Sequence, residues 1–226
     1  MSDVESELVR RRDLRQEVVL ATVVRIDGRP PSRPGEKILL DRSGALAGTL
    51  GCSEFDTAAR ADAGAFLDAG APGVRTYRHD LGTIEVYLEP YPAPPTLVVL
   101  GDTPVARELL ALAGRVGFRA TDSLDRLGAG AFAVHTDHDD PGLPDALERV
   151  LRAEPRFVGV MGSRRHTGHH LDELRRRGIP EEAVAAIQTP VGLDLGARTA
   201  PEIALSILAG LLAVRSGAGG GWKSSS

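Results

Sequence analysis

The chain has 226 residues, 42% of them hydrophobic, a formal charge of −4 and one cysteine. That length accommodates one large or two small domains with an ordinary core, and the acidic balance argues against a general nucleic-acid binder, which needs a basic stripe to displace counterions from phosphates. A lone cysteine excludes an internal disulfide. No apolar run reaches membrane-spanning length, and the acids in MSDVESELVRRRD stand where a secretory leader needs an apolar core. The expectation is a cytoplasmic protein with no membrane and no nucleic acid among its partners.

Val4 to Arg12 fit an amphipathic helix, and Glu17 to Ile26 (EVVLATVVRI) carry the β-branched density of a buried strand. Prolines 30, 31 and 34 remove donors and fix φ, which predicts a stiff loop from Asp27 to Gly35 bearing Arg29 and Arg33. Lys37 to Asp41 and Ala45 to Leu50 flank Arg42-Ser43-Gly44 as a hairpin. Gly51-Cys52-Ser53 then leads into a helix from Glu54 to Leu67, followed by short strands at Val74 to Arg78 and Ile84 to Leu88. Residues 1–90 therefore read as a small α+β domain.

Pro90-Tyr91-Pro92-Ala93-Pro94-Pro95 reads as an extended, semi-rigid connector, with residues 91–95 as the linker proper. From Thr96 the apolar run Leu97 to Leu100 ends at Gly101, and a helical pattern follows at once, with Val105, Leu109, Leu110, Leu112 and Val116 on its apolar side. Strands at Phe132 to Thr136 and Phe157 to Met161 alternate with helices at Leu143 to Arg152 and Ser163 to Arg177, then Glu181 to Ile187 and Pro201 to Arg215. This alternation predicts an α/β protein whose residues 96–216 form a Rossmann-like, doubly wound parallel-sheet domain. Residues 217–226 read as a flexible tail.

The turn after the first strand of that domain departs from a dinucleotide site. Where Gly-x-Gly-x-x-[Gly/Ala] is wanted, the chain offers Gly101-Asp102-Thr103-Pro104-Val105-Ala106. Thr103 puts a Cβ where the second glycine lets backbone approach a pyrophosphate, and Asp102 adds a negative charge.

A better anion cradle is Gly162-Ser163-Arg164-Arg165, a strand running into a helix N-terminus, where unpaired amides, a hydroxyl and two guanidiniums converge. An N-cap Ser163 with two solvated arginines is the structural alternative. In the loop Pro190 to Arg198, Gly192 and Asp194 suit close backbone approach, and Thr199 with Glu202 fits a capping box. Cys52 is either a small buried hydrophobe or a thiolate for metal or sulfur chemistry. His135, Asp137, His138, Asp139 and Asp140 have metal-ligand chemistry but sit where a strand gives way to a polar turn. His166 and His170, at i and i+4 with Glu173 nearby, read as a solvated helix face.

GVMGSRR and TPVGLDLGARTAPEIALSILA, together with GRPPSRPGEKILL and GCSEFD, resemble the xanthine dehydrogenase accessory protein family, XdhC/CoxI, from about Val19 to Arg215. The resemblance implies a protein that binds the molybdenum cofactor (molybdopterin), helps it receive its terminal sulfur and hands it to a molybdenum hydroxylase such as xanthine dehydrogenase. It implies a carrier rather than a turnover enzyme, with a cysteine desulfurase and a second copy of the chain as further expected partners. It implies Cys52 and Glu54 as the reacting pair, with Cys52 as the ligand to the metal. Arg33, Gly51, Cys52, Gly162, Ser163, Arg164, Arg165, Gly192 and Asp194 become the cofactor-binding residues. His138-Asp139 matches a His-Asp pair of the family.

The chain departs from the family's pattern at Gly101-Asp102-Thr103, at Leu50 before Gly51-Cys52, and at Asp122, Ser123 and Asp125-Arg126, where an acidic residue and Pro-Arg usually end a strand. NAD is not carried over. Two rival readings remain: an NAD(P)-dependent oxidoreductase, which rests on fold alone, and an interaction protein that has lost its ligand on the same scaffold.

Overall fold

In chain order, the computed structural model of the protein, which describes residues 3–222, starts with α1 (Val4–Asp13), β1 (Val18–Gly28), β2 (Lys37–Asp41), β3 (Gly44–Gly48) and α2 (Ser53–Ala69), then β4 (Gly73–His79) and β5 (Gly82–Tyr91). These belong to the first of two units, residues 1–93 and 94–226, into which the chain divides.

The five strands of the first unit form one antiparallel sheet in the order β3-β2-β1-β5-β4. Its core joins the inward residues of the strands, among them Val19, Ala21, Val23, Ile38, Leu40, Ile84, Val86 and Leu88, to Phe55, Ala59, Ala63, Phe66 and Leu67 of α2. Those five recur at helical spacing, so one stripe of α2 is buried on the sheet. Gly70 ends the helix in the left-handed region at φ 62, its N–H donating to the Phe66 carbonyl at 2.9 Å.

Two boundaries differ from the sequence reading. β1 runs on through Asp27 and Gly28, paired with Thr83 and Gly82, so the proline loop begins only at Arg29. β5 continues through Pro90 and Tyr91, opposite Val19 and Val18, and the extended connector narrows to 92–95. In both cases cross-strand pairing extends an element that local composition would stop.

The second unit holds β6 (Thr96–Leu100), α3 (Pro104–Ala113), β7 (Arg119–Thr121), β8 (Phe132–His135), α4 (Leu143–Arg152), β9 (Phe157–Val160), α5 (Arg164–Arg176), α6 (Glu181–Ala185) and α7 (Ala200–Ser216). Its sheet is parallel, in the order β7-β6-β8-β9. Both faces are covered. Leu97, Val99, Phe132 and Val134 join residues of α3 and α7 in one core, while Ala133, Val158 and Val160 join residues of α4, α5 and α6 in another. That alternation is the signature of a doubly wound sheet, buried on both sides.

β7 is a three-residue edge strand, and Asp122 and Ser123 lie beyond it rather than interrupting it. The Ser123 hydroxyl accepts from the Asp125 N–H at 3.3 Å and caps a single 3-10 turn. No helix among the described residues is long and apolar enough to cross a membrane. The last four residues of the expected flexible tail lie outside the described residues.

Candidate functional site

In the first unit, chemistry gathers at the start of α2. Gly51 has φ +110, and a Cβ there would stand 2.1 Å from the Pro31 carbonyl oxygen and 2.7 Å from Glu36 Oε2, so only glycine admits this approach of the proline loop. Glu36 organises that loop by accepting from the Arg33 N–H at 2.9 Å and the Ser32 hydroxyl at 3.2 Å. Arg33 itself is exposed. The loop therefore packs on Gly51 and fixes the backbone from which Cys52 projects.

Cys52 is the half-buried N-cap residue of α2, and Glu54 stands exposed in the first turn. The structure brings a third residue to them that the sequence reading missed. His79, the last residue of β4, places Nε2 3.1 Å from Glu54 Oε2, and ligand atoms of Cys52, Glu54 and His79 all lie within 4.8 Å of one another. Leu81 donates its N–H to His79 Nδ1 at 3.1 Å, and the imidazole lies 5.8 Å from the Phe55 ring, so turn and core together orient it. No local signal marks His79. It is separated from Cys52 by the whole of α2 and the rest of β4 and meets it because β4 pairs with β5 in the sheet on which α2 packs.

In the second unit, the crevice between the C-terminal ends of β6 and β8 is the topological switch point, where ligands of open α/β sheets bind. Here it is stitched by side chains. The Thr103 hydroxyl accepts from the Ala106 N–H at 3.1 Å, capping α3, and donates to the Thr136 hydroxyl at 2.8 Å; Thr136 in turn donates to the Leu100 carbonyl at 2.9 Å. Asp102 is almost wholly exposed and pairs with Arg107 at 2.9 Å. A Cβ on Gly101 would reach 2.9 Å from Thr136 Oγ1, which shows how closely the two loops meet.

The Gly162-Ser163 turn after β9 leads into α5 as expected, with Ser163 as its N-cap residue in extended conformation. Two buried threonines hold the turn. Thr189 donates to the Gly162 carbonyl at 2.9 Å, and Thr167 donates to the Ser163 carbonyl at 3.2 Å while lying 3.1 Å from the Thr189 hydroxyl. The Ser163 hydroxyl makes no cap bond to the backbone and instead approaches His166 Nδ1 at 3.4 Å. Arg164 donates from Nε to the Thr189 carbonyl at 3.3 Å, and Arg165 is exposed.

Gly162 has φ +111, and a Cβ there would come within 2.8 Å of the His138 ring; that ring stacks on His166 with centroids 5.3 Å apart. Imidazoles thus border the Gly162-Ser163 turn. His170 corrects the solvated-face reading: it is buried, and its Nε2 lies 3.0 Å from the His138 carbonyl oxygen. His135 is buried as well, 3.3 Å from Asp140, and burial lowers its pKa below the ordinary histidine value despite the raising influence of Asp140 and Asp137.

Gly192 and Asp194 belong to a loop held by α7. Gly192 has φ +107 and lies so close to α7 that a Cβ would meet Ser206 Oγ at 2.4 Å, while Ser206 donates to the Leu193 carbonyl at 2.7 Å. Gly192 and Leu193 border an apolar groove of about 280 Å³ with Phe157, Ile207 and Leu211. Asp194 is exposed and accepts from the Gly196 N–H at 3.4 Å. The carboxylate of Glu202 accepts from the N–H groups of Arg198 and Thr199, at 2.9 and 3.0 Å, the reciprocal half of a capping box at the start of α7.

Residues 97–211 match the family model described as the XdhC Rossmann domain, and residues 12–78 match that of the XdhC and CoxI family. The chain is 34% identical over 102 residues to the uncharacterized protein YqeB of Escherichia coli strain K12, covering 45% of this chain and 18% of that protein. It is 31% identical over 127 residues to the molybdenum cofactor insertion chaperone PaoD of the same organism, covering 53% and 40%. Either match thus spans less than half of the relative's own length. A crystal structure described as a xanthine dehydrogenase from Bacillus halodurans is similar at 19% identity and a TM-score of 0.49, over 96% of each chain.

Proposed function

Because the chain belongs to the XdhC and CoxI family, we propose that it is a maturation factor for a molybdenum enzyme, which takes up the molybdenum cofactor as cargo, helps it receive its terminal sulfur and delivers it to a hydroxylase of the xanthine dehydrogenase type. The observation that carries this reading is the convergence of Cys52 and Glu54 with His79 at the start of α2. The name of the relative PaoD, a molybdenum cofactor insertion chaperone, supports it.

The residues suit such a cargo by their chemistry. A molybdopterin is a polyanion with a phosphate, a dithiolene and an oxo-metal. Its phosphate calls for backbone donors and guanidiniums, and Gly162, Ser163, Arg164 and Arg165 offer them at the N-terminus of the 13-residue helix α5. Its metal and sulfur call for a soft donor, which Cys52 supplies. Glu54 orients or protonates beside it, and Arg33 adds a guanidinium on the loop that packs against Gly51. Gly192, packed against α7, sets the loop that carries Asp194, and the Asp194 carboxylate suits the N–H donors of a pterin ring rather than its phosphate.

A carrier of this kind retains its cargo on purification. Protein expressed in a molybdenum-replete host, oxidised to a fluorescent pterin and assayed for molybdenum, should release both together. Cys52→Ala should no longer support sulfuration in the activation of a partner hydroxylase. Pterin and molybdenum at the level of an unrelated control protein would remove the reading.

A further inference from the structure

We infer that Cys52, Glu54 and His79 form a binding site for a free divalent transition-metal ion of the zinc class, with three protein ligands and a fourth position open to solvent. The inference rests on the geometry of the same cluster that the cofactor reading uses, and it is tested by a separate readout. Thiolate sulfur, imidazole nitrogen and carboxylate oxygen are the donor types that zinc takes, and three protein ligands with an open position is the pattern of its reactive sites. Among the described residues no other group of three His, Cys or acidic side chains meets so closely.

The distances suit an ion after a small adjustment. Bonds of about 2.0–2.3 Å to a tetrahedral ion place donors about 3.3–3.6 Å apart. His79 Nε2 and Glu54 Oε2 are already 3.1 Å apart, and no separation in the cluster exceeds 4.8 Å. Glu54 has an exposed side chain free to rotate on the first turn of α2, whereas the other two donors are held: Cys52 by the fit of Gly51 under Pro31, His79 by Phe55 and by its place at the end of β4. Two donors from a helix start and one from a strand end make a site built on rigid elements.

Binding has a defined proton balance. The Cys52 thiol releases one proton to solvent as its sulfur bonds the ion. The neutral imidazole gives its Nε2 lone pair to the ion and carries its single proton on Nδ1, so the bond now received from the Leu81 N–H is given up. Loading should therefore perturb the Leu81 amide, a residue that touches no ligand atom of the ion.

Cobalt(II) is the probe, because a cobalt–thiolate bond absorbs strongly in the near ultraviolet and a tetrahedral site gives intense visible bands. The chain has one cysteine, so any thiolate-to-cobalt band reports Cys52 alone. Titrating the full, chelator-treated chain should give one ion per chain with both features, displaced by zinc, together with a shift of the Leu81 amide resonance. Cys52→Ser should lose the near-ultraviolet band. His79→Ala and Glu54→Gln should each weaken binding by at least about tenfold; Glu54 is exposed, so that variant tests the site with the fold intact. Absence of the charge-transfer band, or unchanged affinity in both His79→Ala and Glu54→Gln, would overturn the site. Pterin release from the same preparations is scored separately, so failure of the cofactor reading and failure of this one are told apart.

Discussion

The hydroxyl of Thr103 donates to that of Thr136 at 2.8 Å, and Thr136 passes the chain on to the Leu100 carbonyl at 2.9 Å. The residue that replaces the second glycine of a dinucleotide turn is thus a cap for α3 and a clasp between the loops after β6 and β8. Thr103→Ala should lower the free energy of unfolding by about 1–2 kcal/mol, from the lost cap and the lost bond. In urea denaturation, Thr136→Val should cost less in that background than in the wild type, because the two hydroxyls share one bond. A dinucleotide titration of the wild-type chain should be flat, and saturable binding of NAD would show that the clasp opens.

Gly51 and Gly192 each hold a backbone conformation and a close approach that a side chain would break. Alanine at either position needs φ above +100 and drives a Cβ against a neighbour, the Pro31 carbonyl oxygen in one case and Ser206 Oγ in the other. Each substitution should destabilise its unit by about 2 kcal/mol or more. Gly51→Ala should also alter the cobalt spectrum, since it displaces Cys52.

Acid should undo α1 through Glu7. Arg10 and Arg11 donate to its carboxylate at 2.6–2.8 Å, and these bonds, Arg10's first, hold its pKa down to about 2. A lowered folded-state value means that the stabilisation is complete above the ordinary glutamate range and is lost as pH falls towards 2. Glu7→Gln should therefore lower the melting temperature at neutral pH, and the gap to the wild type should close between the ordinary glutamate range and pH 2. A gap independent of pH would assign the effect to packing instead.

The proposed anion cradle can be tested without disturbing the fold, because Arg164 and Arg165 are both exposed. Arg164→Gln combined with Arg165→Gln should reduce pterin retention by about tenfold or more, while the melting temperature stays close to that of the wild type. Retention that is equal in the double variant would move the phosphate end of the cargo elsewhere.

Much of the fold is legible in local sequence. α4 begins and ends where the spacing of Leu143, Leu147 and Val150 predicts, and the strand-to-helix order of the second half leads directly to a parallel sheet. Helical and strand periodicities are written in neighbouring residues, so such elements need no long-range information. Boundaries fared worse where pairing decides. Pro90 and Tyr91 look like connector, yet β1 supplies them with a partner strand. His170 looks like a solvated face, yet α5 turns it inward to the His138 carbonyl.

By itself the sequence determined the α/β plan and the family motifs, and it put forward Cys52, Glu54, Ser163, Arg164 and Arg165 as candidates, because element patterns and motifs are written along short stretches of chain. Only the tertiary structure decided that His79 completes the cluster at Cys52, that Thr167 and Thr189 hold the Gly162-Ser163 turn, and that Gly192 serves close packing against α7. The physical reason is the same for all three. Side chains far apart in sequence meet only where sheet register and helix packing bring them together, and no local periodicity encodes that meeting.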